Sequence, residues 1–179
     1  GYFGYNLSPT YQYLTEAFVP LGVNIRPGAY NYLRHLIYAS TDPSKKINLQ
    51  TQYSFGTYFN GTLRSGDWTL QLAPIPHVSF LARFNRNHFI NVGDPSTSTT
   101  IDLYAIEGRF AVNPRLQLIA FYQQNSENDS RNYNIRFAWE YRPLSYVYLV
   151  LNHREFQDTA LKRQLQDQAI LKISYLRQF

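Results

Sequence analysis

The feature that most constrains this chain is a two-residue period that recurs along most of its length. Between Asn48 and Asn60, the residues Leu49, Thr51, Tyr53, Phe55, Thr57 and Phe59 share one parity, while Asn48, Gln50, Gln52, Ser54, Gly56, Tyr58 and Asn60 share the other. A helix returns to the same face every 3.6 residues, so sustained alternation of this kind specifies a strand. The pattern recurs where Tyr133, Ile135, Phe137, Trp139 and Tyr141 oppose Asn134, Arg136, Ala138 and Glu140. It is repeated over Val78–Asn85, Tyr104–Phe110, Leu116–Gln123 and Ala169–Leu176. Weaker versions cover Thr10–Val19, Ala29–Tyr38, Trp68–Ala73 and Tyr146–His153. The alternation thus predicts about ten strands, mostly of about nine to thirteen residues. Strands of soluble proteins average about 5–6 residues, whereas those of membrane barrels need about 9–11.

Composition says what surrounds such strands. Charged residues make up 16% of the 179 positions, against about 25% in ordinary soluble domains. Aromatics reach 17%, with 16 Tyr and 12 Phe, more than a core of this size absorbs. The polar parity carries Asn, Gln and Ser with few charges, which suits a wet interior and an apolar exterior. The longest apolar run, Tyr146–Leu151, falls far short of the roughly 18 residues of a membrane helix. Any crossing would have to be made by strands.

Other classes fall away on counts and spacing. There is no Cys, which removes disulfides, cysteine zinc sites and thiol nucleophiles together. The four His (His35, His77, His88 and His153) form no HExxH or close pair, and no G-x-S-x-G elbow or Gly-rich phosphate loop occurs. No cofactor or metal is expected. The net charge of +5 comes from 17 scattered cations with Lys45-Lys46 and Lys162-Arg163 as the main clusters, so nucleic acid is not an expected partner. The chain has no Met and begins Gly1-Tyr2-Phe3, unlike an export signal, and a mature product or fragment is the expectation.

Two kinds of connection alternate in the pattern of prolines and polar residues. Short Pro-bearing turns are expected at 73–76, 112–115 and 142–145, with Thr41–Lys46 an intermediate case. Longer polar loops are expected at Pro20–Gly28, Asn60–Asp67, Asn91–Thr100, Ser126–Arg131 and Arg154–Asp167. One rim of short turns and one of long loops is how outer-membrane barrels are built. Within His153–Gln168, Leu161 and Leu165 stand four apart, which allows a turn or two of helix in the last loop. Glu127-Asn128-Asp129 offers oxygen ligands to calcium, but a solvated loop is the better reading.

The polar parity also holds the candidate functional residues. Arg83, Glu107, Arg109, Arg136, Glu140 and Lys172 are expected to face the lumen, where cations outnumber carboxylates and the field favours anions. Glu107 and Glu140 have the chemistry of a glycosidase pair, yet neutralising nearby Arg in a polar lumen is the better account of them.

The tail Leu171–Phe179 alternates and ends on an aromatic residue. It resembles the terminal strand of bacterial outer-membrane proteins, whose last aromatic is read by the barrel-assembly machinery. The resemblance implies that Tyr175 and Phe179 form the assembly signal, with Arg177 standing where an apolar residue is usual. The run Phe137–Pro143 followed by Tyr146–Val150 resembles the last hairpin of a C-terminal barrel domain of unknown function in Bacteroidota envelope proteins. Ile25–Tyr30 and Lys172–Tyr175 are similar to it too. In that family the barrel follows a carbohydrate-binding-like module and is longer than this chain. The resemblance is firm over roughly the last fifty residues. Asp158-Thr159-Ala160 resembles the O-glycosylation signal of exported Bacteroidota proteins and marks Thr159.

The expected fold is therefore all-β: an antiparallel transmembrane β-barrel over residues 1–179, with about ten strands in view, whole or part of a larger barrel. Its partners would be the lipid bilayer of a bacterial outer membrane, the barrel-assembly machinery and other envelope proteins. It would pass small polar solutes, or anchor or join a surface assembly that handles glycans. The alternatives are a barrel hydrolase, with catalytic residues in the lumen or in a missing N-terminal part, and a soluble ligand-binding barrel. A catalytic role is the less favoured.

Overall fold

The computed structural model describes residues 1–157 and 163–176. Ten strands succeed one another: β1 Tyr2–Leu14, β2 Gly28–Ser40, β3 Ile47–Tyr58, β4 Gly61–Ile75 and β5 Val78–Val92, then β6 Thr97–Asn113, β7 Leu116–Asn125, β8 Ser130–Arg142, β9 Ser145–Gln157 and β10 Arg163–Ser174. They form one antiparallel sheet in which each strand lies beside its neighbours in sequence. The expected strand number and antiparallel order are present. Among the described residues nothing pairs β1 with β10, so the ladder is not closed into a ring. Among the described residues no helix is long and apolar enough to cross a membrane.

Register carries the alternation from one strand to the next. Leu118 pairs with Phe137, Phe137 with Leu149, and Leu149 with Leu171. One position along, Ile119, Arg136, Val150 and Ile170 are successive partners. Side chains on a strand alternate between faces, so a slip of one residue would exchange the two sets entirely. The apolar row is thereby locked to one face.

The connections differ from expectation. The stretch Asn60–Asp67 is mostly β4, joined to β3 by Phe59 and Asn60 alone. Only residues 93–96 of the expected loop 91–100 lie outside strands, and only residues 126–129 of the loop 126–131. In the last connection β9 continues to Gln157 and β10 begins at Arg163, with Gln157 paired to Arg163. The helix suggested over His153–Gln168 is therefore strand wherever it is described. Two leucines four apart offer a helix little apolar contact, whereas the ladder pairs the two strands along their whole described length. The polar residues that suggested loops belong to strand ends in which both parities carry polar side chains, as Arg64 and Ser65 do in β4. Thr41–Lys46 is longer than several connections of the supposed long-loop rim, so the length contrast between the rims is weaker than predicted. The β1–β2 connection, residues 15–27, is the long one, with a 3₁₀ turn at Pro20–Gly22.

The chain packs as two compact units. One comprises Gly1–Ser44, Asn48–Leu70 and Arg83–Leu103; the other comprises Lys45–Ile47, Gln71–Ala82 and the chain from Tyr104 on. The first contains a buried apolar cluster of Val23, Ile25, Phe59, Leu63, Phe89, Val92 and Ile101. Among the described residues the second has no buried apolar side chain.

Candidate functional site

The apolar rows are exposed. In β8, Tyr133, Ile135 and Trp139 are each about 45% exposed, and in β10 Leu171 and Ile173 exceed 60%. Tyr5, Leu7 and Tyr11 of β1, Leu33 and Ile37 of β2, and Tyr104, Ile106 and Phe110 of β6 are exposed likewise. They form regular rows, held in place by register, with nothing of the described protein above them.

The opposite parity carries chains of side-chain hydrogen bonds, and among the described residues Asn132 Oδ1 is its one buried side-chain atom without a partner. In the first unit, Ser65 donates to Asn87 Oδ1 at 2.8 Å, Asn87 to Asn85 Oδ1 at 2.7 Å, and Asn85 to Asp67 Oδ1 at 2.5 Å. Arg34 is half-buried; it donates to the Leu63 carbonyl at 2.5 Å and to Ser54 Oγ, with its guanidinium 5.9 Å from the Tyr58 ring centre. In the second unit, Asn134 donates to Asn152, and Asn152 to Gln168 Oε1 at 3.3 Å. These polar side chains are bonded to one another across strands.

The six charged candidates all fall in this second parity. Arg136 lies 5.6 Å from the ring centre of Tyr148, and Lys172 is the β10 partner of Tyr148. Together with Asn134, Val150 and Ile170 they line a concavity of about 550 Å³. Glu107 contacts Arg109 at 3.6 Å. Glu140 accepts the Leu144 amide at 2.9 Å and lies 4.0 Å from Arg115, so its carboxylate fastens the β8–β9 turn. No contact joins Glu107 to Glu140 among the described residues, and each carboxylate is engaged by its own cation. Arg83 shares the row of Asn85 and Asn87. The structure thus brings Arg136 and Lys172 to one place and disperses the others.

The remaining candidates have local partners. His35 meets the Tyr5 hydroxyl at 2.8 Å and stacks on Phe55, His77 meets the Ala111 carbonyl, His88 meets Thr100, and His153 meets Asp167 at 2.5 Å. Among the described residues no three His, Asp or Glu gather as metal ligands. Around 126–129, Asn125 and Asn128 accept the amides of Glu127 and Ser130, which makes a tight turn of the suggested calcium loop. Tyr175 is exposed, while Phe179 and Thr159 lie outside the described residues. The tail is fastened by a serine that no sequence pattern singled out: buried Ser145 accepts the Leu176 amide at 3.1 Å.

A second feature escaped the sequence pattern. The segment 15–27 folds on itself through a Phe18–Ile25 bridge and buries Val23 and Ile25 in the cluster with Leu63, Phe89 and Ile101. By alternation those three share the parity of Ser65, Asn87 and Leu103, so the segment covers the polar face at its loop end. Two residues of the segment latch it, and a third residue, outside the segment, braces the turn they hold. Asn24 exchanges bonds with Asp94, Arg26 pairs with the Asp94 carboxylate, and Asn60 brackets Gly93 by accepting its amide and donating to its carbonyl, both at 2.9 Å. Gly93 has φ +87°, and a Cβ there would stand 2.5 Å from the Asn24 carbonyl, so only glycine fits. Phe59 holds φ +49°, a conformation a bulky residue adopts at a cost. Its ring, packed against Phe18, Tyr30, Tyr32 and Tyr58, keeps it there.

Comparison with protein-family models, characterised proteins and solved structures finds no match to this chain.

Proposed function

We propose that the chain is a β-barrel of a bacterial outer membrane and that it serves as an anchor or subunit of an envelope assembly rather than as an open pore. The observation that carries the membrane reading is the exposure of apolar rows on one face while the other face bonds to itself. Contiguous apolar surface on this scale is foreign to a monomer in water, but it is what hydrocarbon requires of a barrel exterior. The two edge strands support closure. Each is 12 or 13 residues long, and unpaired strand edges in a bilayer would leave backbone groups unsatisfied. Pairing of β1 with β10, or of both with further strands, removes that cost.

The anchor reading rests on the segment 15–27. A conducting barrel keeps its polar face open from end to end, whereas here a latched segment buries Val23 and Ile25 against Leu63, Phe89 and Ile101 at the loop end of that face in the first unit. The resemblance of the last hairpin to envelope barrels implies a surface assembly that handles glycans as the partner. Localisation tests the first part: the protein should fractionate with outer membranes, require detergent for extraction, and migrate faster in an unheated than in a boiled denaturing gel. A water-soluble monomer would overturn it and restore the soluble barrel. Planar-bilayer recording tests the second part, with steady large conductance favouring the pore.

A further inference from the structure

We propose that the loop-side end of the exposed face of β4–β6 binds the phosphate of an anionic membrane lipid. The inference rests on the membrane reading and gives that exterior a specific contact. Along β4 the exposed parity passes from Leu70 and Trp68 to Gly66 and Arg64; along β5 it passes from Phe84 to Arg86 and His88. In a strand that crosses a bilayer, such a change marks the level where hydrocarbon gives way to headgroups. A depression of about 340 Å³ lies there, lined by Tyr53, Arg64, Trp68, Arg86, His88 and Thr100, with Gly66 at its base.

Its construction is specific. A Cβ on Gly66 would collide with the Trp68 ring, so glycine is what lets the indole lie flat along its own strand. The indole is stacked on Phe84 with centres 5.2 Å apart. Arg86 gives Nε and one Nη to the two Asp102 oxygens, at 2.8 Å each, which fixes its guanidinium 5.5 Å from the Phe84 ring centre. His88 is oriented by Thr100 at 2.7 Å. Arg64 has no acidic partner among the described residues. The depression therefore holds two guanidinium groups against one carboxylate, with an aromatic floor beside them.

The shared chemistry of this set selects the ligand. A guanidinium presents paired N–H donors that match two phosphate oxygens, and the aromatic floor suits the apolar portion of a lipid next to its headgroup. A free anion would gain the first contact without the second. A polynucleotide is disfavoured by the apolar rows on either side, which would be desolvated against a charged backbone.

The test uses the purified full chain in neutral detergent, with Trp139→Phe introduced so that Trp68 reports alone. Mixed micelles carrying phosphatidylglycerol should change Trp68 emission saturably, while micelles carrying phosphatidylcholine and inorganic phosphate at equal concentration should not. Arg64→Gln should weaken the phosphatidylglycerol response about tenfold, the loss of one charge-assisted contact, and Arg64→Lys should restore part of it. Heat-modifiable migration of each variant reports that it is folded. Equal affinity of folded Arg64→Gln and the parent would overturn the site, as would equal responses to the two lipids. A response to inorganic phosphate matching that to phosphatidylglycerol would overturn the lipid assignment. None of these outcomes touches the membrane reading, which fails separately if the chain proves soluble without detergent.

Discussion

The two faces of the sheet are made by the same strands yet hold together by different means. On one, Leu118, Phe137, Leu149 and Leu171 stand in a row across four strands, and the three leucines are exposed. On the other, Asn134, Asn152 and Gln168 or Ser65, Asn87, Asn85 and Asp67 are linked in chains of hydrogen bonds. The first face draws its stability from whatever medium covers it, because apolar surface left in water contributes nothing to folding. The second depends less on its medium, since these groups already have partners. A membrane barrel distributes its residues in this way, and a soluble one reverses the distribution.

The comparison is broken most directly by moving charge from one face to the other. Phe137→Arg should abolish membrane assembly, because a cation near the bilayer midplane costs about 2–4 kcal/mol on the lipid side. Replacing Arg83, Arg109 and Arg136 together by Ser should leave assembly and heat-modifiable migration as in the parent. The opposite pair of results would exchange the faces and make the aromatic rows an interior. A smaller effect is expected where the two chemistries meet, at the segment over the polar face. Ile25→Ala, which empties a fully buried site, should cost about 2–5 kcal/mol by the usual scale of such truncations. If the segment obstructs the interior, the same variant should raise planar-bilayer conductance, and an unchanged trace would separate the cluster's structural role from any sealing. Asn60→Ala removes both bonds to Gly93 and should cost about 1–3 kcal/mol, the usual penalty for stranding a buried amide and carbonyl. Denaturant titration of the detergent-solubilised protein reads both losses.

The strands and their parity were legible because alternation is a local property that neighbouring strands only reinforce: the run from Tyr133 to Tyr141 reads as strand in the sequence and is strand in the fold. Loop lengths were not. Residues 61–67, 97–100 and 163–167 are mostly polar strand ends, and polarity alone does not distinguish such ends from loops. The latch was illegible for another reason. Asn24, Asn60 and Gly93 are far apart in the chain and ordinary in kind, and only the positive φ at Gly93 and the turn at Phe59 and Asn60 bring them together. Their one trace in the sequence is the apolar content of the connection, with Phe18, Val19, Leu21, Val23 and Ile25 between Thr15 and Pro27. Of the six charged candidates, parity placed all on one side, but it held no information on which would meet. Arg136 and Lys172 converge because β9 sets Tyr148 between them, a fact of register.

The smallest effect is expected at a residue that belongs to neither face and so serves as the control. Asp42 lies in the Thr41–Lys46 turn, where the amide and hydroxyl of Ser44 donate to its Oδ1 at 2.9 and 2.7 Å. These bonds, the backbone one foremost, hold its carboxyl below the ordinary carboxylate range. A group whose folded-state pKa is depressed stabilises the fold at pH above its unfolded value, and that contribution disappears as pH falls through the folded one. Asp42→Asn can still accept both Ser44 bonds but does not titrate. The stability difference between parent and variant should therefore be constant above about pH 4, the ordinary aspartate range, and shrink below it. Added salt should diminish the difference at neutral pH, because the turn lies in water and its charge is screened. A salt-insensitive difference at Asp42 would mean that the turn is withdrawn from water, and the medium assigned to each part of the sheet would have to be redrawn from this rim inward.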